Sequence, residues 1–205
     1  MSSATRIACG LVLASFVATA MAAAQGTRVQ FGLGAGVTVP TGDFHADASG
    51  DGFKLGWHGL ALFEVQPAKS PVGVRVEGTY GENSGNDKLN ADLTAFVGAP
   101  TTAKTKLLGG NADVVYHFGQ SSGAAHGYLL GGIGVYKLKL AITSGGTTAD
   151  SSETKFTWNV GGGLDYGFGS AALFLEARYF AISSAFGGVK TTFIPITAGV
   201  RFGGK

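Results

Sequence analysis

The sequence predicts an all-β chain of eight antiparallel strands closed into an up-and-down barrel, and three observations predict it. Apolar and polar residues alternate along most of the chain after residue 25, with no sustained helical period. The alternating segments are long, where ordinary strands run about 5–6 residues. The links between them alternate between short and long, as a meander with one tight and one elaborated rim requires. At 205 residues the chain suits one domain with a sizeable core.

The first residues read as an export segment, so the organisation expected is a signal peptide over 1–24 and a barrel over 25–205. Arg6 gives a modest positive start, Ile7 to Ala20 an apolar stretch, and Ala22-Ala23-Ala24 a small-residue cleavage site before Gln25. The apolar run is short for an uncleaved membrane anchor. Cys9, the single cysteine, falls inside this segment. The exported chain would hold no disulfide, and its stability must come from elsewhere.

The first strand, Arg28 to Val39, sets Val29, Phe31, Leu33, Ala35, Val37 and Val39 against Gln30, Gly32, Gly34, Gly36 and Thr38. A second, Phe53 to Gln66, sets Leu55, Trp57, Ala61, Phe63 and Val65 against His58 and Glu64. The third, Val72 to Glu82, places Val72, Val74, Val76 and Tyr80 opposite Arg75, Glu77 and Thr79. In the fourth, Lys104 to Phe118, Val114, Tyr116 and Phe118 oppose Asn111, Asp113 and His117.

The second half repeats the pattern. The fifth strand, Gly127 to Ile142, aligns Tyr128, Leu130, Tyr136, Leu138 and Leu140 as its apolar side, with Lys137 and Lys139 opposite. The sixth, Glu153 to Phe168, sets Phe156, Trp158, Val160, Leu164, Tyr166 and Phe168 against Asn159 and Asp165. In the seventh, Ala171 to Ser183, Leu173, Leu175, Ala177 and Tyr179 oppose Phe174, Glu176, Arg178 and Phe180. The eighth, Lys190 to Gly203, sets Ile194, Ile196, Ala198, Val200 and Phe202 against Thr197 and Arg201. The expected connections are 40–53, 67–71, 83–103, 119–126, 143–152, 169–170 and 184–189, the long ones rich in Gly, Ser, Thr, Asp and Asn.

Alternation alone fits two inside-out arrangements: a soluble, lipocalin-like barrel with an apolar interior, or a transmembrane β-barrel with an apolar exterior. Three features favour the second. Charged residues are 14% of the chain, against roughly 25% in soluble proteins, so the polar side makes a poor aqueous surface. Its mid-strand charges come in both signs: Arg75 with Glu77, Glu176 with Arg178, with Asp113 and Arg201 as further members. Pairing in a narrow interior would offset their desolvation. Aromatic residues gather towards strand ends on the apolar side, Tyr128 and Tyr136 counted among them, as in interfacial girdles. Leu173, Leu175, Ile194, Ile196 and Val200 are therefore expected to face lipid. Gly32, Gly34, Gly36, Gly161 and Gly163 are expected on an inner wall with little room.

The stretches VPTGDF, HGYLLGGIGVY, TWNVGGGLDYGF, LFLEARYF and ITAGVRF, in that order, span most of the chain. Together they resemble the small eight-stranded outer-membrane barrels of Gram-negative bacteria, the OmpA/OmpX-type transmembrane domain and its opacity-protein relatives. The resemblance implies outer-membrane location, periplasmic termini, and contact with outer-membrane lipids and the barrel-assembly machinery. It also implies an assembly signal in the terminal aromatic strand, here Phe202, which Gly203-Gly204-Lys205 follow.

Sites of chemistry are harder to find. Asp47-Ala48-Ser49-Gly50-Asp51-Gly52 opens like a calcium loop, but the twelfth position is His58 instead of Glu, so a solvated turn is the better reading. GLGAGV lacks the third glycine and the following helix of a dinucleotide fingerprint. The histidines His45, His58, His117 and His126 lie on different strands or rims, none with a serine two positions on. His117 is expected near Asp113. No nucleophile and base are placed together, so no enzyme activity, cofactor or metal is expected. The near-neutral charge, +2, lacks the basic face that nucleic acid requires. The function expected is a structural or surface-interaction role through external loops, with an unspecified loop partner and a side-chain-plugged lumen. The alternative is a narrow channel or a small hydrophobic-solute transporter of the OmpW-like kind.

Overall fold

A computed structural model describes residues 26–46, 48–118, 125–185 and 189–203. The expected signal segment 1–24 lies outside them, as does Asp47 of the calcium-like loop. Eight strands, each antiparallel to its neighbours, close in chain order into a barrel. They are β1 (Thr27–Thr41), β2 (Gly56–Pro67), β3 (Val72–Ser84), β4 (Thr101–Phe118), β5 (Ala125–Ser144), β6 (Thr147–Phe168), β7 (Ala171–Ala185) and β8 (Val189–Gly203). The β1–β8 ladder completes the ring, with Phe31 opposite Phe202 and Val37 opposite Ile196. Closure pairs the backbone groups that an open edge would leave bare, which hydrocarbon does not tolerate.

The exterior is apolar on every strand. Leu173, Leu175 and Ile196 are exposed, Ile194 and Val200 half-buried, and Leu175 is 55% accessible on the outer wall. Outward aromatics meet across strands in two rings. Trp57 packs on Tyr80 and Trp158 on Tyr179, both at 5.6 Å between ring centres, towards one rim. Phe31 stacks on Phe202 at 5.8 Å towards the other.

Three expectations need correction. The segment 83–103 is not a plain loop, because it contains an 11-residue helix, α1 (Asp87–Val97). Asn86 caps it, its side chain accepting from the Leu89 amide at 2.8 Å, and Gly98 ends it at a φ of 77°. No residue of α1 is buried, so its sequence carries too little apolar periodicity to announce a helix.

The segment 143–152 is also not a loop. β5 and β6 stay paired up to Ser144 opposite Thr147, and Gly145-Gly146 turn the chain with φ of 55° and 83°. Positive φ at both turn residues is the geometry that joins twisted strands in two residues, and glycine adopts it without strain. The hairpin stands beyond the apolar band, where neither face is wrapped in hydrocarbon, so Thr, Ser and Asp can occupy both.

The third correction concerns the fifth strand, whose two faces are exchanged. Tyr128 and Tyr136, each 1% exposed, point inward with Leu130 and Leu138. Leu129, Ile133 and Val135 form the outer wall, and Lys137 lies on that outer side. The two tyrosines are thus lumen residues and not part of a girdle.

Candidate functional site

The interior is filled in layers. Below the elaborated rim, Phe44, Leu107, Tyr136, Leu138, Phe180, Ile182 and Phe193 form a buried apolar plug. Phe44 arrives there on a short 3-10 turn, Gly42–Phe44, that folds the chain inward after β1. Its ring meets Phe53 at 5.0 Å, while Phe180 and Phe193 stack at 5.2 Å, 4° from parallel. Apolar side chains inside a barrel whose exterior is also apolar gain nothing from lipid, so they shut out water from the layer beneath.

That layer is ionic. Arg75 is fully buried; its Nε donates to Glu64 Oε2 at 2.9 Å and its Nη1 to Glu176 Oε2 at 2.6 Å. Arg178 spreads over three acids: Nε to Glu176 at 2.6 Å, Nη1 to Asp113 at 3.0 Å, and Nη2 to Glu77 at 2.6 Å. Arg201 donates from Nη1 to Asp165 at 3.0 Å, and its guanidinium lies 4.5 Å from the Tyr128 ring centre and 4.8 Å from that of Phe174. The planar guanidinium fork suits this sharing, since each arm can reach a different carboxylate.

Of the two pairs expected in the lumen, Glu176 with Arg178 forms, at 2.6 Å, and Arg75 with Glu77 does not. Arg75 does not pair with Glu77, its neighbour on the strand; it bonds Glu64 and Glu176, and Glu77 goes to Arg178. Residues two apart on a strand share a face and can meet, as Arg178 and Glu176 do, but in a narrow barrel the other walls are also within reach of a long side chain, and Arg75 turns to them. His117 lies beside Glu64, with Nε2 at 2.5 Å from Oε1, rather than beside Asp113. Asp113 is held instead by Asn159, whose Nδ2 donates at 2.8 Å. Glu64, Asp165, His117 and Tyr128 belong to the network although the charge pattern did not single them out. Tyr128 joins through its hydroxyl, donating to Glu176 Oε2 at 2.8 Å.

The inner glycines make room for neighbouring side chains instead of leaving a bore. A methyl group at Gly163 would sit 2.4 Å from Tyr128 Oη and 2.6 Å from the Leu175 carbonyl oxygen. A cavity of about 20 Å³ lies in the upper lumen, between Thr38, His58, Arg178 and Phe193. On the side of the tight turns, a wider vestibule of about 520 Å³ opens between Arg28, Gln66, His126 and Asp165, and Arg201 lies in its wall. His58 is enclosed by hydroxyls, its Nδ1 at 3.2 Å from Thr38 and Nε2 at 2.8 Å from Thr197. His45 and His126 stand apart from it, at opposite rims. Among the described residues no group of three or more His, Cys, Asp or Glu is arranged to hold a metal ion.

No curated protein matches the chain. Among solved structures, Neisserial surface protein A is 18% identical with a TM-score of 0.50, the match covering 87% of this chain and 97% of that one. A major outer membrane protein from Thermus thermophilus is 11% identical with a TM-score of 0.61, covering 85% and 99% respectively. At these identities the likeness is one of fold. A family model described as outer membrane protein beta-barrel domain matches residues 10–202. With a closed barrel, an apolar outer wall and a charged, filled interior alongside that match, the chain belongs to the outer-membrane β-barrel protein family and resides in the outer membrane.

Proposed function

We propose that this protein is a closed-lumen outer-membrane anchor that acts through the structures on its elaborated rim. The observation that carries the reading is the stack of an aromatic plug on a three-arginine ionic layer, with a cavity of only about 20 Å³ between Thr38, His58, Arg178 and Phe193. A solute crossing the barrel must part Phe180 from Phe193 and then break Arg178 away from three carboxylates. That favours an anchor over the narrow channel or hydrophobic-solute transporter. The vestibule at the tight-turn rim ends at Arg201.

In this reading the termini and tight turns are periplasmic, residues 1–24 direct export, and Phe202 near the end of β8 serves as the assembly signal. The outward aromatic position of Phe202, stacked on Phe31 where β8 closes against β1, supports that last role. The working surface is the tall side of the barrel: the 42–55 connection, α1 and the β5–β6 hairpin. No catalytic role is assigned to the chain. The test is planar-bilayer recording of refolded protein lacking residues 1–24. Silence, with occasional unresolved noise, is expected; stable ohmic steps would replace the anchor by the channel.

A further inference from the structure

The vestibule on the side of the tight turns takes no part in sealing the barrel, and its walls are built for a ligand. Its volume of about 520 Å³ lies within the roughly 300–1,000 Å³ typical of small-molecule clefts. Arg28, Lys69, Arg201, His117 and His126 line it, and Asp165 is the one carboxylate among its described lining residues. A concave site with that balance of charge draws anions.

Two cations flank the mouth. Arg28 stands opposite Gln66 where β1 meets β2, and Lys69 follows in the β2–β3 turn, so both lie on one side of the opening. Neither forms an ion pair among the described residues, and the turn holds Lys69 at a φ of 65°, which few residues other than glycine adopt. Gln66 braces that turn, its Nε2 donating to the Ser70 carbonyl at 2.8 Å.

At the inner end Arg201 Nη1 donates to Asp165 Oδ2 at 3.0 Å. Arg201 Nε and Nη2 and Asp165 Oδ1 are buried with no hydrogen-bond partner among the described residues, and Glu176 Oε2 stands 3.8 Å from Nη2. Buried polar atoms normally complete their bonds. Here unused donors and an unused acceptor fall on one ion pair, and a ligand that satisfies both carries a carboxylate and an N–H on neighbouring atoms. We infer that the vestibule binds an acidic α-amino-acid group, with its α-carboxylate at Arg201, the adjacent N–H at Asp165, and a further carboxylate towards Arg28 and Lys69. Because the unpartnered atoms are covered in this structure, binding turns the Arg201–Asp165 pair towards the ligand. The same chemistry belongs to a free acidic amino acid and to the carboxyl end of a short acidic peptide. A dicarboxylate without nitrogen would answer the cations and leave Asp165 Oδ1 without a donor.

The test titrates refolded, nitrogen-15-labelled protein lacking residues 1–24 in detergent micelles near pH 7, with the side-chain NMR signals of Arg201 Nε–H and His126 as reporters. Saturable shifts with L-glutamate or with triglutamate are expected, and the tighter of the two identifies the source as free amino acid or peptide. Glutarate, which carries two carboxylates and no N–H, should bind about tenfold more weakly than glutamate. A merely electrostatic mouth would prefer glutarate, whose net charge is greater. R28Q/K69Q should weaken glutamate about three- to tenfold, while K88Q, on exposed α1 at the other rim, should match wild type. Heat-modifiable gel mobility verifies that each variant folds. The assignment is overturned by the lack of a saturable shift with either ligand, by glutarate binding as tightly as glutamate, or by unchanged affinity in R28Q/K69Q.

Discussion

Arg178 Nη2 lies 2.6 Å from Glu77 Oε2, which ties β7 to β3, strands that are not neighbours in the ring. The same guanidinium reaches Asp113 on β4 and Glu176 on its own strand. One side chain thus cross-braces the cylinder through its middle, where hydrogen bonds of the wall cannot act.

Replacing Arg178 by Met should therefore cost about 3–5 kcal/mol, because three buried carboxylates lose their shared cation. Urea titration in detergent, followed by tryptophan fluorescence, measures it. A loss below about 1 kcal/mol, typical of an exposed pair, would mean that water reaches the layer.

The two faces of the wall should respond in opposite ways to polarity. Leu175 lies between Leu164 and Ala198 on the outer side, and Arg there should cost about 2–4 kcal/mol at mid-bilayer. Thr197 faces inward at 2.8 Å from His58 Nε2, and Ser keeps that hydroxyl, so T197S should cost less than about 1 kcal/mol. Equal costs in a vesicle refolding assay would contradict the assignment of faces.

Two glycines separate a filled lumen from an open one. Gly163→Ala drives a methyl into Tyr128 and the Leu175 carbonyl and should lose about 1–3 kcal/mol. Gly78 is exposed on the outer wall with nothing within 4 Å of a methyl placed there, so G78A should be neutral or mildly stabilising. Equal tolerance at Gly163 would show vacant space where the structure has Tyr128.

Helix α1 should weaken at both extremes of pH. Its Lys88–Asp92 pair, one turn apart, holds the Asp92 carboxyl below its ordinary value chiefly through the hydrogen bond from Lys88, and raises Lys88 through the same bond. A lowered acid supports the fold above its unfolded pKa and loses that support as pH falls through the folded one; the raised amine loses its support as pH climbs. The pair therefore helps between about pH 4 and pH 10. The protection of the Leu89–Phe96 amides, taken relative to their intrinsic exchange at each pH, should fall below about pH 4, and equal protection in D92N and wild type at pH 7 would remove the pair from the account.

Most of the wall could be read from alternation, because hydrocarbon outside and ions inside impose a period of two on β1–β4 and β6–β8. β5 escaped because both of its sides are apolar at mid-strand. Tyr128, Leu130, Tyr136 and Leu138 are as greasy as Leu129, Ile133 and Val135, and Lys137 with Lys139 lies beyond the band, where the outer wall tolerates charge. Only the register with Asn111 and Asp113, opposite Gly134 and Gly132, fixes which side is inner. Helix α1 and the 145–146 hairpin were illegible for a related reason: outside the membrane nothing selects a greasy face. The pair within β7, Glu176 with Arg178, could be read from the strand, but the pairs between strands required the barrel's closure, since Arg75 and Glu176 are 101 residues apart.

The most direct measurement is side-chain hydrogen exchange of arginine Nε–H groups by NMR on the refolded barrel. Arg75 and Arg178, whose Nε atoms donate to Glu64 and Glu176, should give resolved signals that persist for hours in deuterated buffer, while Arg28 at the rim exchanges at once. Rapid exchange at Arg75 and Arg178 would mean a wet, conducting interior and would contradict the sealed barrel.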